Sequence, residues 1–168
     1  MAGLFRIFSE MSKKCRGMEP AKKFSTAIPR YMYRSTQLTN SEVCPCCGKK
    51  LENEVYTYLV FIKTKFGIEQ QIMGVDGGYF CSNCPIIVLD MEKFKTIVRT
   101  NYPDTSFEFL VAGYLDLSAI DKEKMEQGLG TEDNSIPLVP FKNFKFPKSW
   151  RRSGFILPKV QCKFIKEF

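Results

Sequence analysis

Histidine does not occur once in the 168 residues. Its absence removes the commonest general base of enzyme active sites and a frequent ligand of catalytic zinc. Long apolar runs are missing as well. The longest, YLVFI (58–62) and PIIVL (85–89), fall far short of the roughly 20 residues a membrane-spanning helix needs. No glycine-rich phosphate loop, nucleophile elbow or kinase signature is present, and no internal repeat or low-complexity segment. The opening stretch MAGLFRIFSEMSKKCRG is interrupted by Arg6 and lacks a small-residue cleavage site, so it does not read as a secretory signal. These absences lead to the expectation of a soluble, cytoplasmic protein with no membrane span and no recognisable catalytic apparatus.

What is present is a folding composition. Apolar residues make up 44% of the chain and aromatic residues 14%, including fifteen Phe and seven Tyr, enough for a hydrophobic core at this length. Charge is unevenly placed. Residues 1–40 carry a net +6 and residues 135–168 a net +7, whereas 41–90 carry −2 and 91–134 carry −4. Two basic ends flanking an acidic middle suit attraction to phosphate, or equally a chain whose ends fold back on its own middle. Leu4, Phe8 and Met11 lie at helical spacing in the first end. That pattern fits a helix packed on the domain, a membrane-surface helix or a transit-like sequence.

The chain divides on these grounds into a basic arm or helix (1–42), a core (43–130) and a basic, aromatic extension (131–168). Within the core, EVYTYLVFIKT (54–64) is dense in β-branched and aromatic residues and predicts a strand covered on both faces. Lys65-Phe66-Gly67 predicts a turn, 68–75 a return strand, and Asp76-Gly77-Gly78 a second turn before a short strand YFC. PIIVLD reads as a buried strand. MEKFKTIVRTNY (91–102) reads as a helix with Asp90 at its N-cap. Residues 106–117 suggest another strand, and 118–127 a short helix opened by Ser118. The proline-containing tail from 131 is expected to wrap the surface or stay mobile. The fold class is α+β: a small antiparallel sheet with two or three short helices and extended basic termini.

Cys44 and Cys47 form one C-x-x-C, Cys81 and Cys84 a second. A tetrahedral ion such as zinc needs four soft donors aimed at one point, and two tight turns supply them. The 33 residues between the pairs exceed the common 15–20, but a hairpin formed by the intervening strands returns the chain to its start. Gly48 suits the first turn, where positive φ is required. Redox dithiols, disulfides and an iron centre of the same four-cysteine geometry are the alternatives, the first two disfavoured by the context of the motifs and the odd count of seven cysteines. Cys46 is read as pointing away from the ion or as a spare thiol. Cys15 and Cys162 are read as ordinary small residues.

CPCCGKKL followed by YFCSNC resembles a zinc ribbon, in which two cysteine knuckles on β-hairpins share one zinc. The C-P-x-C-G of the first knuckle, and the aromatic before the second, are similar to the zinc-finger region at the start of some bacterial antitoxins. The resemblance covers about residues 43–90 and implies one Zn2+ per chain. An antitoxin would continue into a helix-turn-helix, which is not legible after Asp90.

Four thiolates close the coordination shell, so the ion is expected to be structural. Asp116 with Asp121, or Glu132 with Asp133, are the available carboxylate pairs and read as solvated surface charge. Beyond the metal, FKNFKFPKSWRR (141–152) interleaves aromatics with cations, a pattern suited to stacking on single-stranded bases while meeting phosphates. Lys142, Lys145, Lys148, Trp150, Arg151 and Arg152 are the candidate nucleic-acid contacts. The competing reading is that the aromatics pin the tail to the core while the lysines face water. Function is accordingly expected to be that of a zinc-binding module touching nucleic acid through its basic ends. The alternative is a zinc-stabilised protein-interaction module or homo-oligomeric adaptor.

Overall fold

The long apolar run becomes the central strand of a six-stranded sheet. In the computed structural model, which describes residues 28–35, 42–124, 126–128, 134–135 and 137–152, the strands are β1 (Tyr31–Arg34), β2 (Glu52–Thr64), β3 (Gly67–Phe80), β4 (Ile86–Leu89), β5 (Glu108–Leu115) and β6 (Leu138–Pro140). Their order across the sheet is β1-β4-β3-β2-β5-β6. All described pairings are antiparallel except β1 with β4, which run parallel. The sheet is therefore mixed, not purely antiparallel as the sequence suggested. The difference arises because Tyr31–Arg34, placed in the basic arm from its composition, is a strand lying along β4. Two helices complete the α+β architecture, α1 (Met91–Asn101) and α2 (Lys148–Arg152). The expected N-terminal helix with Leu4, Phe8 and Met11 lies outside the described residues, as do Cys15, Cys162, Glu132 and Asp133.

The sheet curls until its two edges approach. The Lys142 N–H donates to the Arg30 carbonyl at 2.9 Å. The Asn143 side chain accepts from the Met32 N–H at 2.9 Å and donates to the Met32 carbonyl at 2.7 Å. An amide side chain thus serves as a one-residue strand and covers part of the edge of β1 that would otherwise invite other chains to pair.

Both faces of β2 are covered, as its two-sided apolar pattern predicts. Tyr58, Val60 and Ile62 point into the curl with Met73, Val75, Phe80, Val111, Tyr114 and the α1 residues Phe94 and Val98. Leu59 and Phe61 point outward and are covered by Phe144, Phe146 and Trp150. Val55, at the far end of the strand, departs from this pattern and is 71% exposed. The helix α1 forms as its periodicity predicts. Asp90 caps it by accepting from the N–H groups of Glu92 and Lys93.

Two local expectations are overturned. Asp76-Gly77-Gly78 is not a turn but the interior of the 14-residue β3, with a bulge opposite it between Glu54 and Tyr56. Neither glycine has positive φ. They are small because space is short: a Cβ at Gly77 would lie 2.9 Å from the Phe94 ring, and one at Gly78 would overlap the Tyr58 hydroxyl. The other predicted turn, at Lys65–Phe66, does form and is closed by Gly67 at φ +150°. The described residues of 118–127 do not form the expected α-helix. Two 3-10 turns, Leu117–Ala119 and Lys122–Lys124, stand there, with no buried residue in either. The cap is Asp116, accepting from the Ser118 N–H at 3.1 Å, not Ser118 itself. With no apolar face to bury, a polar run this short cannot offset the cost of helix nucleation.

Candidate metal centre

The two cysteine pairs sit at the same end of the sheet because β2 and β3 form one long hairpin. Cys44 and Cys47 precede β2, and Cys81 and Cys84 follow β3, so pairing of Glu52 with Phe80 brings the motifs together. The sulfur atoms of Cys44, Cys47, Cys81 and Cys84 all lie within 4.8 Å of one another. The Cys47 and Cys81 sulfurs are 3.5 Å apart. Zn–S bonds of 2.3 Å in a tetrahedron place sulfurs about 3.8 Å apart, so the cluster has the size of a tetrathiolate site. Cys44, Cys81 and Cys84 are buried and Cys47 is exposed. All four are free thiols.

Each pair is held by backbone. In the first, the Gly48 N–H donates to the Cys44 carbonyl at 3.0 Å and the Cys44 N–H to the Lys49 carbonyl at 2.8 Å. Gly48 takes φ +73° as the turn requires, and an isolated bridge between Val43 and Lys50 closes the loop. In the second, the N–H groups of Asn83 and Cys84 point at the Cys81 sulfur at 3.4 and 3.3 Å. The Asn83 side-chain amide reaches the Cys84 sulfur at 3.8 Å. Donors aimed at a sulfur favour its thiolate.

These donors set the acidities. The Cys81 thiol is held down to about 5, chiefly by the hydrogen bond it accepts from the Cys44 thiol and then by the two N–H groups, against the opposing effect of burial. Cys44 is pushed up because it donates that bond and is buried. Cys84 is pushed up to about 11 by burial and by its bond with Cys47. Cys81 is thus the sulfur most favoured as thiolate, and its buried neighbours Cys44 and Cys84 the ones that hold their protons. A soft divalent cation, which replaces those protons with four metal–sulfur bonds, fits this donor set; the carboxylates and imidazoles of a catalytic zinc site are not part of it.

Beneath the cluster Ile86, Val88 and Leu51 form an apolar floor, with Tyr31, Tyr33 and Tyr79 around it. Cys46 packs at the edge of this group without joining the four; it is disulfide-bonded, not the spare thiol the sequence suggested. Arg30 was not legible as a site residue. It is 1% exposed, and its Nη1 donates to the carbonyls of Cys81, Cys84 and Ile86. Nothing in the sequence distinguishes it from the other cations of the basic N-terminal segment, since its burial depends on β1 docking beside β4.

The candidate nucleic-acid residues are divided between surface and core. Lys142, Lys145, Lys148 and Arg151 are exposed. Trp150 is 1% exposed, donates from Nε1 to Glu108 Oε2 at 2.7 Å and packs on Phe146. Phe141 is buried as well. Arg152 ends α2. Asp116 is buried as a turn cap, and Asp121 is exposed. Among the described residues, no helix is long and apolar enough to cross a membrane.

No protein-family model matches the chain, and no curated protein or solved structure matches it either. The similarity to bacterial antitoxins gains no support from these comparisons.

Proposed function

We propose that this chain is a zinc-binding protein in which one Zn2+ is held by Cys44, Cys47, Cys81 and Cys84 as a structural ion in a zinc-ribbon arrangement. The observation that carries the reading is the convergence of four sulfurs, from two turns that flank the open end of one hairpin, within 4.8 Å. A shell closed by four thiolates leaves no position for water and makes the ion a poor Lewis acid. Its contribution is to the fold: it ties the lead-in to β2 to the junction of β3 and β4. Iron takes the same donor set, and elemental analysis of purified protein separates the two. The expected result is about one zinc per chain with little iron, and a thermal midpoint that falls when the ion is stripped by a chelator. Metal-free protein with an unchanged midpoint would overturn the reading.

The working role proposed for this scaffold is contact with nucleic acid through charge. Support comes from the exposed cations Lys142, Lys145, Lys148 and Arg151 in one short stretch. With Trp150 in the core, contact rests on phosphate attraction more than on base stacking, and it should weaken steeply with salt. Polarisation binding to single-stranded RNA and duplex DNA over a salt series tests this. Binding at low salt that disappears by physiological salt is the expected outcome. A lack of binding at low salt favours instead the protein-interaction or self-association reading, to which the individually exposed apolar residues Val55, Phe66 and Ile72 lend support.

A further inference from the structure

Arg30 occupies a position that an ordinary buried arginine has no reason to take. Its Nη1 lies 3.1 Å from the Cys81 carbonyl, 3.3 Å from that of Cys84 and 3.5 Å from that of Ile86. Those three carbonyls line the inside of the 81–86 loop, which is closed by the Cys81 N–H donating to Ile86 O at 3.1 Å and the Ile86 N–H donating to Cys84 O at 2.7 Å. One guanidinium nitrogen therefore plugs the neck of the loop that carries two of the four sulfurs. Its stem is fixed from behind, because the guanidinium carbon stands 5.4 Å over the Phe80 ring and Phe80 packs on Tyr56 and Tyr114. The backbone of Arg30 is anchored on both sides, its carbonyl accepting from the Lys142 N–H and its successor Tyr31 donating to Pro85 O at 2.8 Å.

We infer that Arg30 is a positioning residue for the metal centre, a buried cation that sets the second cysteine loop for coordination. The inference rests on the metal-binding reading above. Two consequences follow from the geometry. Carbonyls drawn inward to Arg30 turn the loop so that the N–H groups of Asn83 and Cys84 face the Cys81 sulfur. A zinc tetrathiolate also carries a net charge of about −2, and three of its four cysteines are buried. A fixed positive charge one hydrogen bond from the backbone of two ligands offsets that buried negative charge. Arg30 thus acts through Cys81 and Cys84 and does not touch the ion.

The test is cobalt(II) titration of the full-length metal-free protein, followed by competition with zinc. Wild type should bind one cobalt per chain and show sulfur-to-cobalt charge-transfer and tetrahedral d–d bands. Arg30→Met keeps the apolar stem and should lose about 10- to 100-fold in affinity, the usual effect of removing a group that supports a metal ligand, with a shifted d–d envelope. Arg30→Lys, which restores charge without the planar fork, should recover part of that loss. Val98→Ala, in the core on α1, should lower thermal stability while leaving affinity and spectrum unchanged. The inference is overturned if Arg30→Met matches wild type, or if Val98→Ala loses as much affinity as Arg30→Met. It also falls, together with the metal reading, if wild type binds no cobalt, so the wild-type arm tells the two failures apart. Should Arg30→Met fail to fold, Arg30→Lys decides: affinity and spectrum equal to wild type would show that the Nη1 contacts with the three carbonyls are dispensable and would overturn the inference.

Discussion

Cys81→Ser is expected to abolish high-affinity metal binding and to unfold the cysteine end of the sheet, giving a protein that is largely insoluble or melts far below wild type. Cys81 is the buried centre of the cluster. Its sulfur accepts from two backbone N–H groups and lies 3.5 Å from the Cys47 sulfur. Serine offers a hard, weakly acidic oxygen on a shorter bond, so the tetrathiolate cannot form. Structural zinc contributes on the order of 10–16 kcal/mol of apparent binding energy to folding, comparable with the whole stability of a domain this size. Cys47→Ser is the instructive companion. Cys47 is exposed, so its substitution should weaken binding with less damage to the apolar floor formed by Leu51, Ile86 and Val88. Metal content and circular-dichroism melts check both. A soluble Cys81→Ser protein with no metal and an unchanged melt would remove the structural role.

Trp150→Ala is expected to destabilise the protein by about 3–5 kcal/mol, the usual cost of deleting a large buried aromatic side chain. The indole is 1% exposed and packs against the outer layer of Leu59, Phe61, Leu110 and Leu138. Its N–H donates to Glu108 at 2.7 Å, and the Lys63 ammonium stands 5.9 Å from the ring. Truncation opens a cavity, while Glu108, whose side chain is 64% exposed, turns to water and adds little to the cost. The change is read in urea unfolding monitored by far-ultraviolet circular dichroism. The same variant bears on function. If it keeps wild-type stability but loses nucleic-acid binding, the ring is a stacking platform and the tail is mobile on the surface. The packing predicts the reverse: lost stability, with any phosphate binding retained in the folded fraction through Lys142, Lys145, Lys148 and Arg151.

The interleaving of aromatics and cations in 141–152 shows where sequence patterns become ambiguous. Phe144, Phe146 and Trp150 have the same spacing whether they meet bases or a β-sheet. Only the outward face of β2, presenting Leu59 and Phe61, shows which partner is taken. Gly77 and Gly78 are ambiguous in the same way. A glycine pair after Asp is a good turn signal, yet here the pair gives room to Phe94 and the Tyr58 hydroxyl from distant parts of the chain. Local propensity had no information about either neighbour.

Other features were decided by short-range physics and could be read directly. The two-sided apolar pattern of 54–64, the α1 stripe with its Asp90 cap, the Lys65–Phe66 turn and the clustering of the four cysteines all depend on residues close in sequence, or on donor chemistry that admits few partners. Four thiols in two C-x-x-C turns have one economical arrangement around a soft cation, so the cluster was legible once the strands between the pairs were read as a hairpin. The parallel docking of β1 against β4, the closure of the curl by Asn143 and the burial of Arg30 beneath the second loop were not. Each joins segments more than 50 residues apart. Such contacts are fixed by which surfaces remain uncovered once the long hairpin has formed, and that is a property of the assembled sheet alone.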